Sequence, residues 1–227
     1  MDIKPIAYYY SKLPAKFGVP RQSGLVTELV GRVVFEPEFR DHNALRGIEG
    51  FDYLWLLWGF SLNKERGSEW SPLVRPPLLG GNEYVGVFAT RSPYRPNAIG
   101  LSSVRLAGVE DGDDGPVLLV AGADLASGTP IYDIKPYIAY SDSHPDARSG
   151  FVDNNSWHKL DLKIPAQLRR HFSDEDYMAL CKLLELDPRP QYHHDPLRVY
   201  GMPFGGYDIR FRVSEEGVLE VLDAVPM

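Results

Sequence analysis

The chain of 227 residues carries a single cysteine, Cys181. An intrachain disulfide and a thiolate metal cluster are both excluded, and a reducing compartment, the cytoplasm, is the expected location. Long apolar runs are also missing. The most apolar segment, Phe51 to Leu62 (FDYLWLLWGFSL), contains Asp52 and is too short to span a bilayer as a helix, so no membrane partner is expected. The opening MDIKPIAYYY lacks the basic and apolar regions of a signal peptide. None of the six histidines has zinc-site spacing; the pair His193-His194 reads as solvent-exposed, and no metal is expected. Positive charge is in deficit, with a net charge of −7. On its face that argues against a nucleic-acid partner. The deficit is uneven, however: between Arg75 and Arg105 stand four arginines and one acid, Glu83.

Turn formers are plentiful, with 19 prolines and 21 glycines, which favours short strands over long helices. The segments PIAYYY, LVTELVGRVVFEP, FDYLWLLWGFSL, EYVGVFAT, IGLSSVRLAGV and PVLLVAGADL read as strands, with EDGDDGP the clearest turn between them. Six or so strands at this spacing predict a mainly β fold, an antiparallel barrel closed or nearly closed. Polar composition around 149–158 marks a linker between a barrel domain, 1–148, and a small α+β unit, 159–227.

Local signals define the tail. Ser173 with Asp176 three residues on is a capping-box pattern. Tyr177, Leu180, Cys181 and Leu184 then recur at helical spacing, and Asp187-Pro188 ends the helix. In YDIRFRV the residues Tyr207, Ile209, Phe211 and Val213 alternate with Asp208, Arg210 and Arg212, a half-buried strand; VLEVLDAV completes a hairpin with it. Nucleotide-fold signatures fail: VLLVAGADLASG lacks the spacing of a dinucleotide loop, Pro130 falls where a helix would begin, and no P-loop is present.

The stretch from Gly86 to Ser102, GVFATRSPYRPNAIGLS, is different. Gly86 and Gly100 permit close backbone approach. Pro93 and Pro96 stiffen the loop. Arg91 and Arg95 present planar forks suited to carboxylate or phosphate, and Asn97 can bond an adenine edge or its own backbone. A ligand loop and a rigid proline-rich connection both satisfy this composition. Taken with VPRQSGL, VRPPLLGGN, DIKPY (Asp133 to Tyr137) and DPRPQY in this order, the stretch resembles the TsaA-like, or TrmO, family of S-adenosylmethionine-dependent tRNA methyltransferases. The resemblance runs from about residue 17 to the C-terminal hairpin.

That resemblance implies a β-barrel enzyme, homodimeric, that methylates N6 of the threonylcarbamoyl-adenosine 3′ of the anticodon, chiefly in threonine tRNA. It implies a methyl-donor site made of Pro20, Arg21 and Gln22; Phe60 and Ser61; Arg91 and Leu101; and Ser127, Gly128, Thr129 and Pro130. Two positions depart from the family pattern: serine stands at 61 where histidine is usual, and at 127 where aspartate is usual. These departures keep open a non-catalytic barrel that binds RNA or an adenosine-type ligand. Asp133, Lys135 and Tyr137 share one strand face by the period of two and are the implied catalytic set, with Asp133 the acceptor for the N–H group; a solvent-facing Asp-Lys pair is the plain alternative. Arg95, Asn97, Arg189, Arg210 and Arg212 are the expected tRNA contacts.

Overall fold

In a computed structural model, residues 2–62, 70–155, 157–190 and 195–227 are described; His193-His194 lies outside them. Strands β1 (Ala7–Tyr10), β2 (Val30–Phe35) and β3 (Tyr53–Gly59) are followed by two short strands, β4 (Leu73–Val74) and β5 (Val85–Gly86). Then come β6 (Ile99–Gly112), β7 (Gly115–Ala121) and β8 (Thr129–Pro136). Six of these pair in a closed ring, β1-β2-β7-β6-β3-β8, with β8 returning to β1. Every pairing in the ring is antiparallel, and the chain is mainly β as expected. The interior holds Ala7, Tyr9, Val33, Leu54, Leu56, Trp58, Val104, Leu118, Val120 and Ile131. These come from alternating positions, as a sheet with one buried face requires.

One expected strand moves. Within EYVGVFAT only Val85–Gly86 is extended, and it pairs with Leu73–Val74 outside the ring. The sixth position is taken by Thr129–Pro136. The strand face expected for Asp133 and Lys135 belongs to it, although the segment is absent from the six apolar runs that read as strands. Among the described residues no helix is long and apolar enough to cross a membrane.

After a short helix α1 (Ala139–Asp142), the tail forms a second sheet. Strands β10 (Tyr200–Phe204), β11 (Tyr207–Val213) and β12 (Val218–Pro226) run antiparallel, and β9 (Asp161–Lys163) joins β12 in parallel. Helix α2 (Asp174–Glu185) begins at Ser173, whose hydroxyl accepts the Asp176 amide at 3.1 Å. The helix buries Ala179, Leu180, Leu183 and Leu184, while Tyr177 and Cys181 stay half-buried. Ile209, Phe211 and Val213 are buried while Arg210 and Arg212 are exposed, as the alternation requires.

The boundary at residue 148 is not where the cores divide. Leu13, Val26 and Leu29, from the connection between β1 and β2, are fully buried in the tail's core beside Leu180, Met202 and Phe211. Residues 149–158 are not a free linker: the Trp157 ring lies 3.7 Å beneath the Arg21 guanidinium.

Candidate active site

The arginine of the VPRQSGL segment is anchored to the tail. Arg21 Nη1 donates to the Leu186 carbonyl at 2.6 Å and Nη2 to the Asp187 carbonyl at 2.7 Å, just past the end of α2. Burial lowers its pKa, opposed by the charge of Asp187. The Arg21 guanidinium expected at the donor site is thus occupied with helix-end carbonyls, which lack partners of their own. Pro20 is buried; Gln22 is the member of the segment that turns to the barrel, its Oε1 accepting a hydrogen bond from Arg91 Nη1.

The main loop is stiffened by its own groups. Arg95 donates to the Val87 and Thr90 carbonyls at 3.1 and 2.7 Å and lies over the Phe88 ring. The expected tRNA contact is therefore an internal clip. Arg91 is exposed and Asn97 is exposed. At the loop's end the Phe60 amide donates to the Ala98 carbonyl, and Ser61 follows, half-buried. Gly100 is required here: a Cβ would meet the Trp58 ring at 2.3 Å. Trp58 in turn packs on Phe60, with ring centroids 4.3 Å apart.

The Ser127–Pro130 segment is tied to the chain after β1. The Ser127 hydroxyl accepts the Ser11 amide, the Gly128 amide donates to Tyr9, and the Thr129 hydroxyl donates to Ala126. Those two side chains have structural partners. Gly128 is exposed, with nothing within 4 Å of where a Cβ would stand.

Sequence reasoning missed Asp124. Its Oδ1 accepts the Ser102 hydroxyl at 2.6 Å, and Ser102 Oγ accepts Trp58 Nε1 at 2.9 Å. Burial raises its pKa, while the Ser102 hydrogen bond, the charge of Arg91 and the Ser23 amide pull the other way. The only sequence signal was an acid inside an apolar run.

On the barrel's outer face the register sets Leu101 opposite Leu57, and Leu57 opposite Asp133. These three residues form one row across β6, β3 and β8, about 10 Å from end to end by strand spacing. Leu101 is 55% exposed. The β8 ladder slips by one residue between Leu57 and Trp58, which keeps both Ile131 and Ile134 inward and Asp133 outward. Asp133 Oδ2 pairs with Lys135 Nζ at 2.9 Å, and its Oδ1 accepts the Ile134 amide. Tyr137 does not join that pair; it packs against Trp55 and Tyr53.

The remaining tRNA candidates carry acid partners. Arg189 pairs with Asp187, both side chains only 14% exposed. Arg210 pairs with Asp208 at 3.3 Å. Arg212 donates twice to Glu220, which Lys163 also holds.

A closed antiparallel barrel beside which Gln22, Arg91, Ser102 and Asp124 meet defines the class as a β-barrel protein. Comparison with known proteins makes this specific. The family model of the tRNA-methyltransferase O N-terminal domain matches residues 8–143, and that of the TrmO C-terminal domain matches residues 161–226. The tRNA (adenine(37)-N6)-methyltransferase of Escherichia coli is 37% identical over 224 residues, covering 95% of this chain and 94% of that protein. A putative S-adenosylmethionine-dependent methyltransferase, RcsF, of Pseudomonas aeruginosa is 37% identical over 98% of this chain and 96% of its own. A crystal structure of TrmO from Pseudomonas aeruginosa superposes with a TM-score of 0.78 at 32% identity, covering 99% of this chain and 98% of that one. The chain belongs to the TrmO family.

Proposed function

We propose that this protein is an S-adenosylmethionine-dependent methyltransferase acting on N6 of adenosine 37 in tRNA. In the finer reading the acceptor is the threonylcarbamoyl-adenosine, chiefly of threonine tRNA, and the enzyme works in the cytoplasm as a homodimer. The observation that carries the proposal is the meeting of Gln22, Arg91 and the Ser23–Asp124–Ser102 cluster, from segments far apart in the chain, beside the exposed Leu101. Near-full-length identity to the Escherichia coli enzyme supports the reaction.

The residues fit the donor's chemistry. Arg91 offers a guanidinium for its carboxylate, Gln22 an amide, Phe60 and Leu101 apolar surface for the adenine, and Gly128 open backbone. Arg21 supports this site from behind by fixing the segment that carries Gln22. When bound, the donor supplies the methyl group on a sulfonium that leaves readily. The acceptor's exocyclic nitrogen is a poor nucleophile because its lone pair is shared with the ring, so orientation and a hydrogen-bond acceptor for its N–H are what the protein contributes. Asp133 sits in the row with Leu101 and is the proposed acceptor; Lys135 orients its carboxylate. Tyr137 holds β8 against Trp55.

Binding of RNA by an acidic chain is supported by the segment 70–105. There Tyr84 and Phe88 are exposed, Phe88 by 71%, with Arg75 and Arg95 over their rings. Exposed rings beside guanidinium groups suit unstacked bases. Exposed Phe51, Tyr53, Ile138 and Tyr140 support a covered face between protomers. Two measurements test the proposal. Calorimetric titration with S-adenosylmethionine should give micromolar affinity, about −8 kcal/mol, and filter binding should retain tRNA. Folded protein that gives no heat at near-millimolar donor would refute it.

A further inference from the structure

Asp124 lies just past the end of β7, three residues before Ser127, with its side chain half-buried. A carboxylate withdrawn even partly from water is costly unless hydrogen-bonded, so its partners are informative. An ionised carboxylate only accepts, which fixes the direction of every bond in the chain that leads from it. Ser102 must donate to Asp124. Its oxygen is then turned to accept the Trp58 indole N–H, and the two contacts, 2.6 and 2.9 Å, show that orientation. Trp58 lies on Gly100, whose missing Cβ makes room for it, and against the Phe60 ring. The chain that starts at Asp124 therefore ends at Phe60, one of the residues proposed to hold the donor, and it pins β6 at Ser102, next to Leu101, whose side chain points to the opposite face. Asp124 reaches two more from its other side, through the Ser23 amide next to Gln22 and the charge of Arg91.

We infer that Asp124 is a positioning residue of the methyl-donor site: through Ser102 and Trp58 it sets Phe60 and Leu101, and through Arg91 and Ser23 it sets the Gln22 side. It does not touch the reacting atoms. This role rests on the proposed donor site but makes a separate claim about it, namely that one half-buried carboxylate ties its segments into one geometry. The segments come from the β1–β2 connection, the end of β3, the loop before β6 and β6 itself. The first two are far in sequence from the others, and the ladder fixes β3 to β6. Asp124 links the others, through the Ser23 amide and through its charge facing Arg91. Such support is what a pre-organised site needs from the residues behind it.

The test uses the full chain with three variants, Asp124→Asn, Ser102→Ala and the double. Asparagine keeps the shape and removes the charge; alanine at 102 keeps the carboxylate and cuts the link to Trp58. Donor affinity is read by calorimetry, the fold by urea unfolding, and the Trp58 indole proton and Leu101 methyl signals by NMR without donor. We expect each single variant to bind S-adenosylmethionine at least tenfold more weakly, the double variant to be close to the weaker single, and both NMR signals to shift in the donor-free protein. We also expect Asp124→Asn to unfold no more easily than the parent at neutral pH, since it removes a partly buried charge. Variants that bind donor as the parent does would overturn the role. So would losses that multiply in the double variant, or unshifted Trp58 and Leu101 signals. If Asp124→Asn does not fold, the charge is holding the fold and the positioning role falls. Parent protein that takes up no donor while the NMR signals still respond refutes the functional proposal and this role with it. Parent binding with indifferent variants refutes this role alone.

Discussion

Arg21 separates two accounts of the VPRQSGL segment, one in which its guanidinium holds the donor and one in which it holds the tail. Arg21→Ala removes two charged hydrogen bonds, to Leu186 and Asp187, and a stacking contact with Trp157. A hydrogen bond to a charged group contributes about 1.5–3 kcal/mol and a guanidinium–ring contact about 0.5–2. The two carbonyls sit at a helix end where water can replace part of the loss, so the lower ends apply and the sum is about 3.5 kcal/mol. For a chain of this size that corresponds to a fall in Tm of about 7–14 °C. Arg21→Lys keeps the charge but not the fork and should recover less than half of the loss. Thermal unfolding followed by tail fluorescence, with calorimetry of the donor at a temperature where both variants are folded, reads the two effects separately. We expect a large loss of stability and a modest loss of donor affinity, because Gln22 is held less firmly. Unchanged stability with abolished donor binding would refute the structural assignment and restore Arg21 to the ligand.

Removing residues 149–227 should prevent donor binding, because Leu13, Val26 and Leu29 lose their core and the segment carrying Gln22 loses its support; a truncated chain that folds cooperatively and binds donor would contradict this. Arg75→Ala, whose ring partner Tyr84 is uncharged, should flatten the dependence of tRNA affinity on log salt by about 0.7–0.9. Arg210→Ala with Arg212→Ala should leave that slope nearly unchanged, since Asp208 and Glu220 already neutralise them; filter binding at several salt concentrations distinguishes the two. Burial lifts the Asp124 carboxyl above its ordinary range against the pull of Ser102, Arg91 and Ser23, with buried Tyr9 also facing it. A raised acid stabilises the fold fully below its unfolded value near 4 and loses that contribution as pH rises through the folded value. Urea midpoints of Asp124→Asn relative to the parent should therefore increase from pH 4 toward neutrality; a constant or falling difference would contradict the burial argument.

The elements legible in the sequence are those written in local signals. Helix α2 announced itself through Ser173 and the spacing of its apolar residues, and β11 through strict alternation. The barrel was visible as a class, because its strands are short apolar runs between turns. One strand was misplaced for a physical reason: EYVGVFAT is apolar but mostly pinned in loop geometry by Arg95 and Pro72. The strand Thr129–Pro136 was read only at Asp133 and Lys135, because its two prolines and a bulge break the apolar pattern. The proposed donor and tRNA positions come from family resemblance, which gives positions and not contacts. Whether an arginine faces a ligand or a carbonyl depends on partners far away in the chain, as Arg21 with Leu186 shows. Asp124 was invisible for the same reason: its partners, Ser102 and Ser23, meet it only in the fold.

Methyl transfer to tRNA is tested most directly by incubating the protein with methyl-labelled S-adenosylmethionine and tRNA that carries threonylcarbamoyl-adenosine but lacks the methyl group, then resolving the nucleosides by mass spectrometry. Label is expected on N6 of that nucleoside at position 37, strongest in threonine tRNA and lost in Asp133→Ala. Folded, donor-binding protein that leaves every nucleoside unlabelled would contradict it and make the chain a binding module on the same fold.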